Sequence, residues 1–449
     1  MAEITEPILL DSTGKELVNA VLDVTSALRG IQGAITDKES QSSGNIIYGF
    51  HIDGSKSDPD KMVTYLQMAV GMTPARMNYS TGKFDYGSWD KAFFMPRPCM
   101  LRYDGSVAYY LDPNDYTKKA DGTVSDIANV AFAGNAMMEW GQNGRKIYLK
   151  VEPTVGDDTS ANIYIANYEV DSTFHCWSFF NSKNEEVDHF YTPIYTGSLD
   201  SDNKLRSLSG TTNIHSKTAQ EEIDYAKANN PTSDVHWYTE VYSDVQLINF
   251  LLILMGKSTD TQTVFGLGNT STYISDSDNG MIKSGTMNNK GLFYGHNVSS
   301  RDTGSLGVKV FGMENWWGNQ WRRYAGHIND KGTQKIKLTY GTKDGSTSTA
   351  YNLDGTGYIT VNTLPAISNG NAYIDKMTYS DKAGCVPKTA SGSASTFYCD
   401  GLWINNDHNN YALRGGGSGH GMLCGASGAT LDYSPSVAWW NIGVSLSYK

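Results

Sequence analysis

The residues of this 449-residue chain with the chemistry for catalysis are nine histidines, five cysteines and several acidic runs, and their spacing assembles no catalytic set. Glu185, Glu186 and Asp188 stand beside His189, the residue types an acid/base pair would use, but a charged run of this kind is the ordinary composition of a solvated loop. The sequence has no HExxH pair and no His/Cys group at ligand spacing, so it implies no metal site. A GxSxG nucleophile elbow is also missing. Gly256-Lys257-Ser258-Thr259 has the ending of a phosphate loop, yet Leu251 stands where that loop needs its first glycine, and the preceding segment reads as helix where a strand is required. Cys99, Cys176, Cys385, Cys399 and Cys424 are odd in number and lack a CxxC pair, so they read as free thiols of a protein made in a reducing compartment. No enzyme chemistry and no cofactor are expected, which leaves recognition.

Recognition has better candidates. Aromatic residues make up 12% of the chain, with 28 Tyr and 10 Trp, against 18% charged residues, a balance that suits short strands and aromatic-lined surfaces. The segment "YALRGGGSGHGMLCGASGATLDYSP", residues 411–435, is glycine-rich but is followed by Trp439, Trp440, Ile442, Val444 and Leu446, whose alternation marks a half-buried strand. The glycines therefore belong inside the fold. "NNDHNN", residues 405–410, suits a β-turn, where Asn tolerates positive φ, and suits a polar contact surface equally well. The net charge of -11 is spread along the chain, which excludes the basic stripe that nucleic acid requires. The longest apolar run, residues 247–255, is too short to span a bilayer, and the N-terminus lacks the pattern of a signal peptide, so neither membrane insertion nor secretion is expected.

The elements that must position these residues follow from periodicity. Thr13 and Glu16 fit a capping box, after which Leu17, Val21, Val24, Leu28 and Ile31 form a heptad seam. That spacing fits a single helix packed on its own domain as well as a coiled coil; the polar segment "TDKESQSSGN" behind it favours self-association. The expected organisation is an N-terminal helix and attachment segment over 1–33, a linker over 34–45, a β-rich module over 46–164 with turns such as Asp53-Gly54 and Asp104-Gly105, and a final domain over 165–449. Helices are expected at 218–230 and 243–258, the second capped by Ser243 or Asp244 and stopped by Gly256.

Within the last domain, "GMENWWGNQWRRYAGHI", residues 312–328, carries Trp317-Gly318-Asn319-Gln320-Trp321, followed by Leu413-Arg414-Gly415-Gly416 and by Ile442-Gly443-Val444-Ser445-Leu446. These motifs, in this order, resemble the formylglycine-generating-enzyme branch of the C-type lectin fold, and residues 226–254 resemble that branch's helix pair. The stretch from Ser395 to Lys449 further resembles the variable proteins of diversity-generating retroelements in phage tails, where a fixed frame alternates with rewritten positions. The resemblance implies an α+β chain: a short N-terminal coiled-coil helix, a β-rich middle module and a C-terminal C-type lectin-like domain with a variable region at 397–449. It implies a receptor-binding protein of the phage tail tip that contacts a bacterial surface ligand, protein or glycan, through Tyr398, Trp403, Asn405, Asp407, His408, Asn409, Tyr411, Gly417, Gly419, His420, Leu423, Asp432, Tyr433 and Val437. Leu402, Ala412, Gly416, Gly425, Leu431, Ile442 and Leu446 would be frame, while Trp317, Asn319, Trp321, Arg414 and Gly415 would support the binding loops. It implies also a homotrimer that docks on a tail or baseplate protein through its N-terminus, and location in the virion. A structural tail protein with this domain as a cap is the alternative. An oxidase would need Cys399 and Cys424 as a copper-binding pair, whose spacing and surroundings do not match that enzyme's, and a calcium-dependent sugar lectin would need a tripeptide that is absent.

Overall fold

The computed structural model describes residues 44–141, 145–270, 281–297, 307–367 and 372–449. The coiled-coil helix expected over 1–33, and the linker as far as residue 43, lie outside these. Among the described residues there are three α-helices and 26 strands, so the expected α+β class is corrected to a predominantly β fold. The helical patterns do fold as helices, α1 (Ala219–Lys227) and α2 (Tyr242–Gly256), with a short α3 (Thr261–Phe265) behind them. They build no helical layer, because every residue of α2 except Asn249 is buried, the pattern of a pillar enclosed by sheets. The aromatic and β-branched remainder of the sequence goes into strands.

Three sheets enclose that pillar. One is a four-stranded antiparallel sheet in the order Val63–Gln67, Ile47–Ile52, Asp157–Ala166, Tyr148–Thr154. The second has seven strands and draws on distant parts of the chain: Trp237–Thr239, Leu446–Tyr448, Phe190–Pro193, Gly134–Trp140, Arg97–Arg102, Val107–Asp112 and Asp115–Lys119, in that order. Its pairing of Phe190 with Trp140 and of Tyr191 with Glu139 crosses the division expected at residue 164, and the C-terminal strand closes the sheet through Tyr448 opposite Trp237. The third carries the candidate site. Its order is Ile359–Thr363, Thr333–Ile336, Trp321–Asp330, Asn409–Arg414, Ala429–Leu431, Leu402–Ile404, with Ile442–Val444 lying parallel to Trp321–Arg323. The main hydrophobic core is continuous from Phe50 to Leu431.

The helix ends differ from expectation: α1 stops at Lys227, short of residue 230, and α2 shifts at both ends. α2 starts one residue earlier, behind Val241 with no side-chain cap, because the Asp244 carboxylate is engaged elsewhere: it accepts from Lys449 Nζ at 2.8 Å and from Ser447 Oγ at 3.0 Å, fastening the C-terminal strand to the helix. Lys257, at φ +49°, ends the helix after Gly256. α1 has a full capping box, with the Thr218 hydroxyl accepting from Glu221 N–H and the Glu221 carboxylate accepting from Thr218 N–H.

His327, in the Trp321–Asp330 strand, is 1% exposed and sits in one tautomer: Nε2–H donates to Gln334 Oε1 at 3.0 Å, and Nδ1 accepts from the Tyr324 hydroxyl at 3.0 Å. Burial presses its pKa down to about 4, and a second proton would set N–H against O–H at Nδ1. An unfolded histidine takes up its proton near pH ~6.5, while the folded one resists until about 4, so its contribution to stability is complete above that upper value and is lost as pH falls through the window. The expected result is that wild-type melting temperature drops more between pH 6.5 and 4.5 than that of His327→Gln. Parallel profiles from a calorimetric pH series would contradict this.

Candidate ligand-binding face

The support beneath the face is built first. Residues 311–319 form a turn with left-handed backbone at Phe311, Gly312, Asn315, Gly318 and Asn319, which is why Gly and Asn recur in this stretch. At Gly318 a Cβ would lie 2.9 Å from Asn269 O, so only glycine fits. The turn buries Trp316 and Trp317, whose indole N–H groups donate to Asn249 Oδ1 and Gly266 O, both at 3.0 Å. Asn319 Oδ1 accepts from Asn269 Nδ2 at 2.9 Å and from Ile282 N–H at 2.7 Å. Arg414 donates to Trp316 O at 2.7 Å and to Glu240 Oε1 at 2.5 Å, with its guanidinium 3.5 Å from the Trp316 ring centroid. Gly415, at φ +84°, lets the chain pass the turn where a Cβ would meet Trp316 O at 3.0 Å.

Strand alternation then sorts the residues above this support. Leu402, Ile404, Ala412, Ala429 and Leu431 face the main core. Trp403, Thr430 and Leu413 share a register and face the other way. There the buried Trp321, Leu413 and Ile442 make a floor on which Trp403, Tyr433 and Val437 pack half-buried. The Trp403 ring meets Trp321 edge-on with centroids 5.3 Å apart, and His420 lies 5.3 Å from Trp321 and 5.5 Å from Trp403. Leu423 approaches Trp403 around Gly401. Tyr433 meets Trp439 edge-on at 5.1 Å, and Trp439 is 53% exposed.

Of the residues expected to contact ligand, Asp407 and Gly419 are exposed, and Trp403, Asn405, His408, Asn409, His420, Leu423, Asp432, Tyr433 and Val437 are half-buried at the surface. Tyr398, Tyr411 and Gly417 are buried and do not belong to the face. The backbone is left-handed at Phe397 and Cys399, and the Tyr398 hydroxyl pairs with that of Tyr379 at 2.7 Å inside the core. Tyr411 is covered by Ala219 of α1 and by Tyr358, elements distant in sequence. Gly417 N–H is held by His420 Nδ1 at 3.1 Å. In the 405–410 segment the amide groups of Asn405, Asn406 and Asn410 serve the turn: Asn405 Oδ1 accepts from Asp407 N–H, Asn406 donates to Leu364 O, and Asn410 donates to Asn405 O and His408 O. The frame residues Leu402, Ala412, Gly416, Gly425, Leu431, Ile442 and Leu446 are all buried. Trp439 was expected in the terminal strand, which instead begins at Ile442; Ser434-Pro435-Ser436 is the sequence signal for the turn that leaves Trp439 outside.

The other chemical candidates are engaged structurally. Glu186 accepts from Cys176 Sγ at 2.8 Å and pairs with Lys146 at 3.3 Å, and Glu185 accepts from Asn181 Nδ2 at 2.9 Å. Cys399 and Cys424 are buried, burial pushes both thiol pKa values up, and their sulfurs donate to different carbonyls, Thr396 O and Gly417 O. Among the described residues no group of His, Cys, Asp and Glu is placed to hold a metal ion, and no helix is long and apolar enough to cross a membrane.

No family model matches the sequence, and no curated protein matches it. Among the solved structures that align with it are "Major Tropism Determinant P3c Variant", at TM-score 0.27 and 11% identity, and "Major Tropism Determinant U1 Variant", at TM-score 0.23 and 12% identity. Each alignment covers 79% of this chain and 72% of the other. Alignments at these scores establish no common fold.

The floor and the rim of the face have different stakes in stability. Trp321→Ala removes a fully buried indole and is expected to cost about 3–5 kcal/mol. Trp439→Ala, at the exposed rim, is expected to change stability by about 0.5 kcal/mol or less. Denaturant titration of the two variants checks this, and equal losses would contradict the assignment of floor and rim.

Proposed function

We propose that this protein is a non-enzymatic receptor-binding protein of a phage tail, and that the face formed by Trp403, Asp407, His420, Leu423, Tyr433, Val437 and Trp439 contacts a bacterial surface receptor. The observation that carries the reading is the division of one continuous segment into two sets of side chains. Leu402, Ala412, Leu431, Ile442 and Leu446 are buried, while Trp403, Tyr433 and Val437 between them pack half-buried on the Trp321 floor. A surface of this kind gives an exposed aromatic anchor beside adaptable polar groups, a composition suited to recognition. The motifs at 312–328, 413–416 and 442–446 support the phage-tail assignment and the view that the residues between frame positions are rewritten by a retroelement. Modest affinity at each site would be multiplied by several copies per particle, and assembly as a homotrimer docked on the tail through residues 1–33 belongs to the same proposal.

Replacing His408, His420, Leu423 and Tyr433 together with Ala is expected to abolish adsorption to host cells and leave the fold and the oligomeric state unchanged. Adsorption at the wild-type level by the folded variant would contradict the proposal. A structural cap would give the opposite pattern: loss of oligomerisation with Trp439 and Tyr433 covered by a neighbouring copy.

A further inference from the structure

A groove apart from the proposed receptor face opens between the Tyr148–Thr154 strand and the turn at residues 343–347. Its volume is about 970 Å³, at the upper end of the ~300–1,000 Å³ typical of small-ligand sites. It is lined from the 150–153, 172–177, 343–347 and 357–359 segments, with the hairpin tip at 381–382, stretches that only the tertiary fold brings together.

One wall carries an aromatic platform. The rings of His175 and Trp177 stack with centroids 4.2 Å apart and planes 26° apart, and both side chains are half-buried. His175 exchanges two backbone hydrogen bonds with Leu149, at 2.8 and 3.0 Å, and Trp177 opens a short 3-10 turn anchored by the buried Phe179. The opposite wall is equally fixed. Asn184 Oδ1 accepts from the N–H groups of Thr342 and Lys343, at 2.6 and 3.2 Å, and the Asp344 carboxylate accepts from Leu338 and Ser346 N–H at 2.6 and 3.1 Å. Both walls are held by the protein itself, so little ordering remains to oppose binding.

We propose that this groove is a binding site for a neutral saccharide. A pyranose ring has an apolar C–H face and a rim of hydroxyls that both donate and accept. Because the His175 and Trp177 rings cover one face of each other, it is the outer face of the stack that offers a flat surface to the first, and Lys343, Asp381 and Lys382 offer donors and acceptors to the second. Lys150, Lys343 and Lys382 line the groove against Glu152 and Asp381, Lys150 is already paired with Glu152 at 3.2 Å, and the buried Asp344 is paired with Lys337 at 3.8 Å. One lysine in excess does not suit a polyanion, which would need several cationic donors. The site does not depend on the proposed receptor face and can fail or stand without it.

The test is calorimetric titration of the full chain with neutral hexasaccharides of glucose, mannose, galactose and N-acetylglucosamine, and with hexagalacturonate as the charged control. At least one neutral hexasaccharide is expected to bind. Trp177→Ala is expected to weaken it by about tenfold or more, and Trp177→Phe, which keeps a ring, by less. Thr347→Arg, at an exposed position on the rim, is expected to block the groove without disturbing the fold. The proposal is overturned if no neutral hexasaccharide binds, if only hexagalacturonate binds, or if Trp177→Ala and Thr347→Arg bind like wild type.

Discussion

One carboxylate between two guanidinium groups holds the site-bearing part of this protein together. Glu240 accepts from Arg414 and lies 3.7 Å from Arg322, and all three side chains are 3% exposed or less. Two cations for one anion would be unfavourable in such a place, and burial, followed by the Arg414 charge, lowers the Arg322 pKa. The excess is distributed into fixed dipoles: Arg414 donates to Trp316 O, Arg322 donates to Asn315 O, and the Trp316 ring lies against both guanidinium groups. Glu240 is held in turn by its backbone, donating to Ser445 O and accepting from Ala325 N–H. Removing Glu240 would leave two buried guanidinium charges without a counter-charge, at about 3–5 kcal/mol.

The geometry of the proposed receptor face depends on that cluster. Arg322 fixes the strand that carries Trp321, Arg414 fixes the strand that carries Leu413, and the carbonyls they grip belong to the turn whose left-handed residues allow Trp316 and Trp317 to enter the core. Stability resides in this layer. Above it, Trp403, Tyr433 and Val437 pack half-buried on Trp321 and can differ in side chain at less cost to the fold than the floor itself, whereas His420 also holds the loop by accepting from Gly417 N–H.

How much of this was legible in the sequence follows from the range of the interactions involved. The Gly318-Asn319 turn and the fork of Arg414 are local signals, and each has the structural role its residue type suggests, whereas Ile442, Val444 and Leu446 belong to two strands of different sheets, buried throughout residues 442–447, and not to one half-buried strand. The burial of Tyr411 had no such signal, because it comes from Ala219 and Tyr358, which the sequence does not place nearby. The same limit hid the sheet that joins residues 134–140 to 190–193, and the groove walled by Trp177 and Lys343. Trp439 lies outside the terminal strand for another reason: the turn chemistry of Ser434-Pro435-Ser436 overrides the alternation that runs back through Trp440.

The central claim is that within residues 398–446 one set of positions specifies the fold and another specifies the ligand. Single-site saturation of this segment, sequenced once after selection for protease resistance and once after selection for adsorption to host cells, measures both directly. Asp407, Leu423, Tyr433, Val437 and Trp439 are expected to tolerate most substitutions in the first selection and few in the second, whereas Leu402, Ala412, Gly415, Leu431, Ile442 and Leu446 are expected to tolerate few in either. Equal restriction of both sets in the first selection, or free substitution of the surface set in the second, would contradict it.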